Sequence, residues 1–173
     1  MLAGGEQAKH AGAVLTHATC GRVIDLGISD ANNMGAAMAP AGCDTLVNHF
    51  RDMNRGFDDY DLVVTGDLGH LGCDLLIELL KERKITVRED KLFDCGCHIF
   101  DARQDAHSGG SGCGCAASML CAHLLPEMAA GRLGRILFMA TGALLSPTTT
   151  MQGESIPGVA HAVVIEHEGG KRR

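Results

Sequence analysis

The residues best equipped for chemistry lie in one stretch, His107-Ser-Gly-Gly-Ser-Gly-Cys-Gly-Cys-Ala-Ala117, with a long apolar run directly behind it. Glycines there alternate with small polar or sulfur side chains, so several backbone N–H groups are left uncovered. If a helix follows, those groups sit at its positive end, where an anion or a carbonyl oxygen is favoured. The alternative is that the glycines only let a helix pack closely on its neighbours, and the stretch alone does not separate the two. No Gly-Lys-Ser/Thr follows, so it is not a Walker loop, and the glycine spacing misses the dinucleotide fingerprint. Two Cys-Gly-Cys pairs, Cys95/Cys97 (followed by His98) and Cys113/Cys115, raise the question of zinc. Structural zinc sites favour a wider Cys-x2-4-Cys spacing, which points to small buried thiols and to no metal.

Composition narrows the function classes. At 173 residues the chain is long enough for one domain with a real core. Apolar residues make up 46% and aromatics only 3%, which suits tightly packed helices and sheets better than an aromatic groove for single strands. A net charge of −6 also argues against nucleic acid as a partner. The one basic cluster, Lys171, Arg172 and Arg173, is expected to be a solvated tail. No signal peptide is recognisable, and no stretch approaches the roughly 18 uninterrupted apolar residues of a membrane span. Any membrane contact is therefore expected to be peripheral or through partners. Without an export signal the eight cysteines are expected to be thiols.

The elements that must position these residues follow from hydrophobic period. Strands are expected at Gly12–Thr16, Gly21–Gly27, Leu62–Thr65, Arg135–Ala140 and Gly158–Glu166. Asn32-Asn-Met-Gly35 and Pro40 mark a turn and a helix start, and from Ala41 to Met53 the apolar Leu46, Val47 and Phe50 recur at helical spacing. A second helix spans Leu71–Arg83, with Leu75, Leu76, Leu79 and Leu80 inward. Residues 84–107 read as loop, with an edge strand possible at Ile85–Val87. Ala116–Leu125 is apolar nearly all round and is expected to be a buried helix, kinked or restarted at Pro126 and ended by Gly131. His161, inside an apolar strand, is expected to be a satisfied core residue. The order predicts an α/β fold, a mixed five-stranded sheet layered with helices.

Four pieces taken together resemble one family: Met38-Ala-Pro40, Thr65-Gly-Asp-Leu-Gly69, Gly109-Gly-Ser-Gly-Cys-Gly-Cys115 and Ala140-Thr-Gly-Ala-Leu-Leu-Ser-Pro147. With Glu154–Val163, they are similar to the stage V sporulation protein AD family, thiolase-like proteins of endospore-forming bacteria. The resemblance runs from about Gly12 to Glu166 and matches the C-terminal half of the family's chain. It implies a single thiolase-like C-terminal domain over 1–173, with the N-terminal half as a missing partner and self-association as its substitute. It also implies a pocket for dipicolinic acid, the pyridine dicarboxylate stored with calcium in spores. The implied role is dipicolinate uptake into the developing spore, inside the forespore and peripheral to its inner membrane. Membrane proteins of the same stage V sporulation A operon are the implied partners. Condensing relatives of the fold take a cysteine nucleophile from the absent half. Here only His70 stands near the position of their histidine base, so a non-catalytic protein is expected. An acyl-condensing thiolase or ketoacyl synthase is the alternative.

The expected ligand-binding set draws on three of those pieces: Asp67, Leu68, Gly69 and His70; Gly110, Ser111, Gly112 and Cys113; Thr141 and Gly142. Carboxylates favour charge-assisted donors, which the amides around Gly110–Cys113 and the Ser111 hydroxyl can supply. Asp67 repels a free dicarboxylate but can hold a calcium chelate through its oxygens, so calcium is the one cofactor expected, as part of the ligand. The other role open to Asp67 is hydrogen-bonding its own turn. His70 and His107 are either cationic donors near pH 6 or plain turn residues.

Overall fold

Alternation along the strands decides the layering. In a strand, successive side chains point to opposite faces. Val63, Leu137, Met139, Ala162 and Val164 join one buried cluster, while Val64, Ile136, Phe138 and Ile165 join another. Both faces of the sheet are therefore apolar, and each needs a cover. The computed structural model describes residues 12–167; the basic tail at 171–173 lies outside them.

The strands are β1 (Ala13–Thr19), β2 (Leu62–Thr65), β3 (Leu92–Asp94), β4 (Arg135–Ala143) and β5 (Gly158–His167). They form one sheet in the order β1-β5-β4-β2-β3. β5 runs antiparallel to both β1 and β4, and β2 runs parallel to both β4 and β3. The register sets Thr65 opposite Met139 on one side and Asp94 on the other. The mixed five-stranded sheet expected from the sequence is present, but one member differs. Gly21–Gly27 contributes only an isolated bridge, Ile24 with Gly158, and no strand. The fifth strand is β3, from the stretch read as loop, while Ile85–Val87 is not a strand. Three residues directly after the charged run Arg88–Lys91 carry too little period to be seen in sequence.

One face is covered by α1 (Met34–Met53) and α2 (Gly69–Glu82). α1 starts before Pro40, not at it: the Asn33 side chain caps the helix by accepting from the Ala36 amide. An interior proline costs about 3 kcal/mol through its lost hydrogen bond and ring clash. Here Met38, Ala39, Ala41 and Leu46 are nearly fully buried beside it, and burying one large aliphatic side chain returns about 1.5–3 kcal/mol. In α2, Leu76 and Leu80 are fully buried, with Leu75 and Leu79 packed at their edge.

The other face is covered by α3 (Cys95–His98), α4 (Cys115–Met119) and α5 (Leu125–Ala129), completed by α6 (Pro147–Met151) elsewhere on the surface. A wide turn over Leu120–Leu124 joins α4 to α5, closed by the Leu125 amide on the Leu120 carbonyl. That wide turn absorbs Pro126, which has no amide to give. Cys115, Leu124 and Met128 are buried, but Ala117 and Cys121 are exposed, so this segment is buried on one stripe and not all round. His161 likewise departs from expectation: it is exposed on β5, where its Nδ1 accepts from the Gly21 amide at 3.0 Å.

Candidate functional site

β2 ends in the turn Gly66-Asp67-Leu68, and α2 begins at Gly69 with no capping side chain of its own. Its first amides still need acceptors. They find one in Asp94, at the end of β3, which is 2% exposed. Asp94 Oδ2 accepts from Leu68 N at 2.9 Å and from Thr65 Oγ1 at 2.6 Å. Asp94 Oδ1 accepts from Gly69 N and Cys97 N, both at 3.1 Å. One buried carboxylate thus caps the N-terminal ends of α2 and α3 together, a charge-favoured position at both. Sequence reasoning passed over Asp94. The available signal was an aspartate three residues before Cys97, the N-cap spacing.

Asp67 is freed from capping and turns the other way. Its Oδ2 accepts from Ser111 Oγ and from Gly112 N, each at 3.0 Å. Thr141 Oγ1 donates to Asp67 Oδ1 at 3.3 Å and accepts from Asp67 N at 3.1 Å. The carboxylate therefore does not bond its own turn; it joins three segments distant in sequence. The glycine loop is held from below as well. Gly110 N donates to Gly96 O at 2.7 Å, Gly96 N to Gly66 O at 3.0 Å, and His70 N to Ser108 O at 2.8 Å. These contacts demand glycine: a Cβ on Gly96 would lie 2.4 Å from Gly110 O, and one on Gly69, whose φ is +68°, 2.4 Å from Ser108 O.

The structure thus brings Asp67, Ser111, Gly112 and Thr141 into direct contact, with Leu68, Gly69 and Gly110 in the scaffold behind them. Gly142 is half-buried on β4, paired with Val159, and Cys113 is exposed. The loop is not the open anion cradle that its glycines suggest. Three of its expected donors are already used, by Asp67 and by the Gly96 carbonyl. His70 is exposed and lines a separate cavity of about 260 Å³, with Cys97, Phe100, Asp105 and His107. His107 Nδ1 stands 3.9 Å from Asp105 Oδ1 with both side chains 89% exposed, too loose to orient either.

The Cys-Gly-Cys pairs do not converge as a zinc cluster. Cys95 and Cys115 point into the core, Cys113 faces solvent, and all eight cysteines are free thiols. Burial pushes the Cys95 thiol up to about 12 and raises that of Cys115, opposite to what a nucleophile needs. A larger cleft of about 570 Å³ opens between the end of β1 and α1. Its arginines are already matched, Arg22 with Asp44 at 2.5 Å and Arg51 with Asp52 at 2.9 Å. Behind it, His49 bridges Thr19 Oγ1 at 2.7 Å and Tyr60 Oη at 2.6 Å, and burial lowers its pKa to about 4.

The fold and site together define a mixed α/β protein whose glycine loop is closed on an internal carboxylate. Residues 4–166 match the family Stage V sporulation protein AD (SpoVAD). Stage V sporulation protein AD of Bacillus subtilis (strain 168) is 48% identical over 156 residues, which cover 90% of this chain and 46% of that protein. The chain belongs to the Stage V sporulation protein AD family, and spans about half the length of the curated relative it matches. Among solved structures, AbyA1, a tetronic acid condensing enzyme, aligns with a TM-score of 0.49 and 16% identity over 91% of this chain and 48% of that one. Among the described residues, no helix is long and apolar enough to cross a membrane.

Proposed function

We propose that this chain is the ligand-binding part of a non-catalytic spore-formation protein that takes up dipicolinate as its calcium chelate. The observation that supports the reading is the junction at Asp67, where the three segments of the expected ligand-binding set meet. A pyridine dicarboxylate free in solution is a dianion, and the Asp67 carboxylate repels it. Bound to calcium the same ligand is neutral, and the metal, which takes 6–8 oxygens, keeps positions open for protein oxygens. Asp67 Oδ2 is engaged by two donors at 3.0 Å, whereas Oδ1 has only the 3.3 Å contact from Thr141, so Oδ1 is the oxygen with capacity to spare. Thr141 then holds the carboxylate in place. His70, the one residue near the place of the condensing base, is exposed at the start of α2 and lines a separate cavity, which supports binding without turnover.

On this reading the protein serves dipicolinate uptake into the developing spore, with membrane proteins of its operon as partners. The remainder of the family's chain, or a second copy of this one, completes the pocket. Calorimetric titration tests it: dipicolinate with and without calcium, into this chain and into its mixture with the remaining half. Saturable binding that needs calcium and is lost in Asp67→Asn is expected. Equal binding of the free dianion by the wild type and by Asp67→Asn would overturn the chelate reading. Steady thioester turnover of acetyl- or acetoacetyl-coenzyme A by the full-length protein would overturn the non-catalytic one.

A further inference from the structure

Cys73, on α2, and Cys97, on α3, face each other across the end of the sheet. Their Sγ atoms and a carboxylate oxygen of Asp94 all lie within 4.8 Å of one another. Both thiols are half-buried, and Cys97 lines the cavity that also contains His70 and Phe100. Two thiols and a carboxylate are a donor set for a thiophilic cation, but the carboxylate argues against it. Each Asp94 oxygen already accepts two hydrogen bonds. A cation would have to strip an amide from the start of a helix to bind there, which leaves a buried donor unpaired. Removing Asp94 from the set leaves a vicinal thiol pair with one member reachable from solvent.

We propose that Cys73 and Cys97 are a reversible disulfide-forming pair whose co-reactant is a low-molecular-weight disulfide. The Cys97 thiolate attacks one sulfur of that disulfide, whose S–S bond breaks and releases one small thiolate. Cys73 then gives its proton to solvent and attacks Cys97 Sγ, expelling the second small thiolate. The two protein thiols are oxidised, the small disulfide is reduced to two thiols, and protons and electrons balance. Cys97 acts first because it opens on the cavity. Cys73 waits behind it, its thiol held high by contact with Cys97, by burial and by Asp94, in that order.

The crosslink has a structural consequence. Gly96, beside Cys97, carries both the Gly110 and Gly66 contacts of the glycine loop. Tying α3 to α2 covalently therefore fixes the floor of the Asp67 junction. The crosslink forms whatever ligand the junction above it holds.

The test is oxidation of the folded full chain with oxidised glutathione, followed by non-reducing peptide mapping by mass spectrometry. A Cys73–Cys97 linked peptide should appear, while exposed Cys20, Cys113 and Cys121 carry glutathione. Cys113→Ser should leave the link intact, and Cys73→Ser should trap glutathione on Cys97. The linked protein should melt at a higher temperature than the reduced one, reversed by dithiothreitol. A stable glutathione adduct on wild-type Cys97, or a link formed only after denaturation, would overturn the proposal. So would stoichiometric zinc in the purified protein, lost in Cys97→Ser.

Discussion

Asp94→Asn is the substitution with the largest calculable effect. The side chain keeps its shape, but one acceptor oxygen becomes an NH2 donor. If the retained oxygen faces Gly69 N and Cys97 N, the new amide faces Leu68 N and Thr65 Oγ1. The Thr65 hydroxyl can rotate and accept. The Leu68 amide cannot, and it is left opposite another donor. Losing one charge-assisted bond removes about 1.5–3 kcal/mol, and an orphaned buried amide costs about 1–3 kcal/mol more. Together these come to about 2.5–6 kcal/mol, and weakening of the two surviving bonds, now to a neutral acceptor, adds to the loss. For a domain of this size that lowers Tm by about 5–24 °C. Urea unfolding followed by circular dichroism measures it, with Asp94→Ala as a second variant. A loss below about 1 kcal/mol in both would refute the argument that one carboxylate caps two helices.

Three further outcomes are expected. Gly96→Ala should destabilise the fold by about 2 kcal/mol or more in the same urea assay, because its Cβ meets backbone oxygen at 2.4 Å and backbone cannot swing aside; an unchanged midpoint would contradict the close approach of loop and α3. His49 is neutral in the fold, with a pKa near 4 against about 6.5 unfolded, so the unfolded chain binds more protons between those values. Stability should thus be complete above about pH 6.5 and fall as pH drops toward 4, by up to about 3 kcal/mol, and His49→Gln should flatten that limb of the profile; an unaltered acid limb would assign the loss elsewhere. Exposed Leu71, Phe100, Leu144 and Leu145 should make this chain self-associate in light scattering unless the part of the relative's chain that it does not span is added, and a monodisperse monomer would refute this.

The strands of the sheet's centre were legible because their apolar runs have no competing interpretation. Leu62–Thr65 and Arg135–Ala140 are buried on both faces, and such strands read as continuous apolar segments. β3 was illegible for the opposite reason. It has three residues, its partner lies on one side, and its two apolar residues, Leu92 and Phe93, are too few to show a period. Gly21–Gly27 had the composition of a strand, yet only Ile24 reaches a partner. α1 starts at the local cap of Asn33 and not at Pro40, because an interior proline is tolerated where its neighbours Met38, Ala39 and Ala41 are buried.

The family, the α/β class and the three segments that meet at Asp67 can be read along the chain, since motifs and hydrophobic period are properties of neighbouring residues. Which carboxylate does what depends on how the strands pair. Asp67 stands where a local cap belongs, and Asp94 ends a three-residue strand that the sequence does not announce. Their roles are exchanged because β3 pairs with β2 and delivers Asp94 to the amides of α2 first. Asp67, displaced from those amides, is left to satisfy the donors of the glycine loop. A hydrogen-bond donor takes the acceptor that the fold brings to it, and that competition is settled across the sheet, not along the chain.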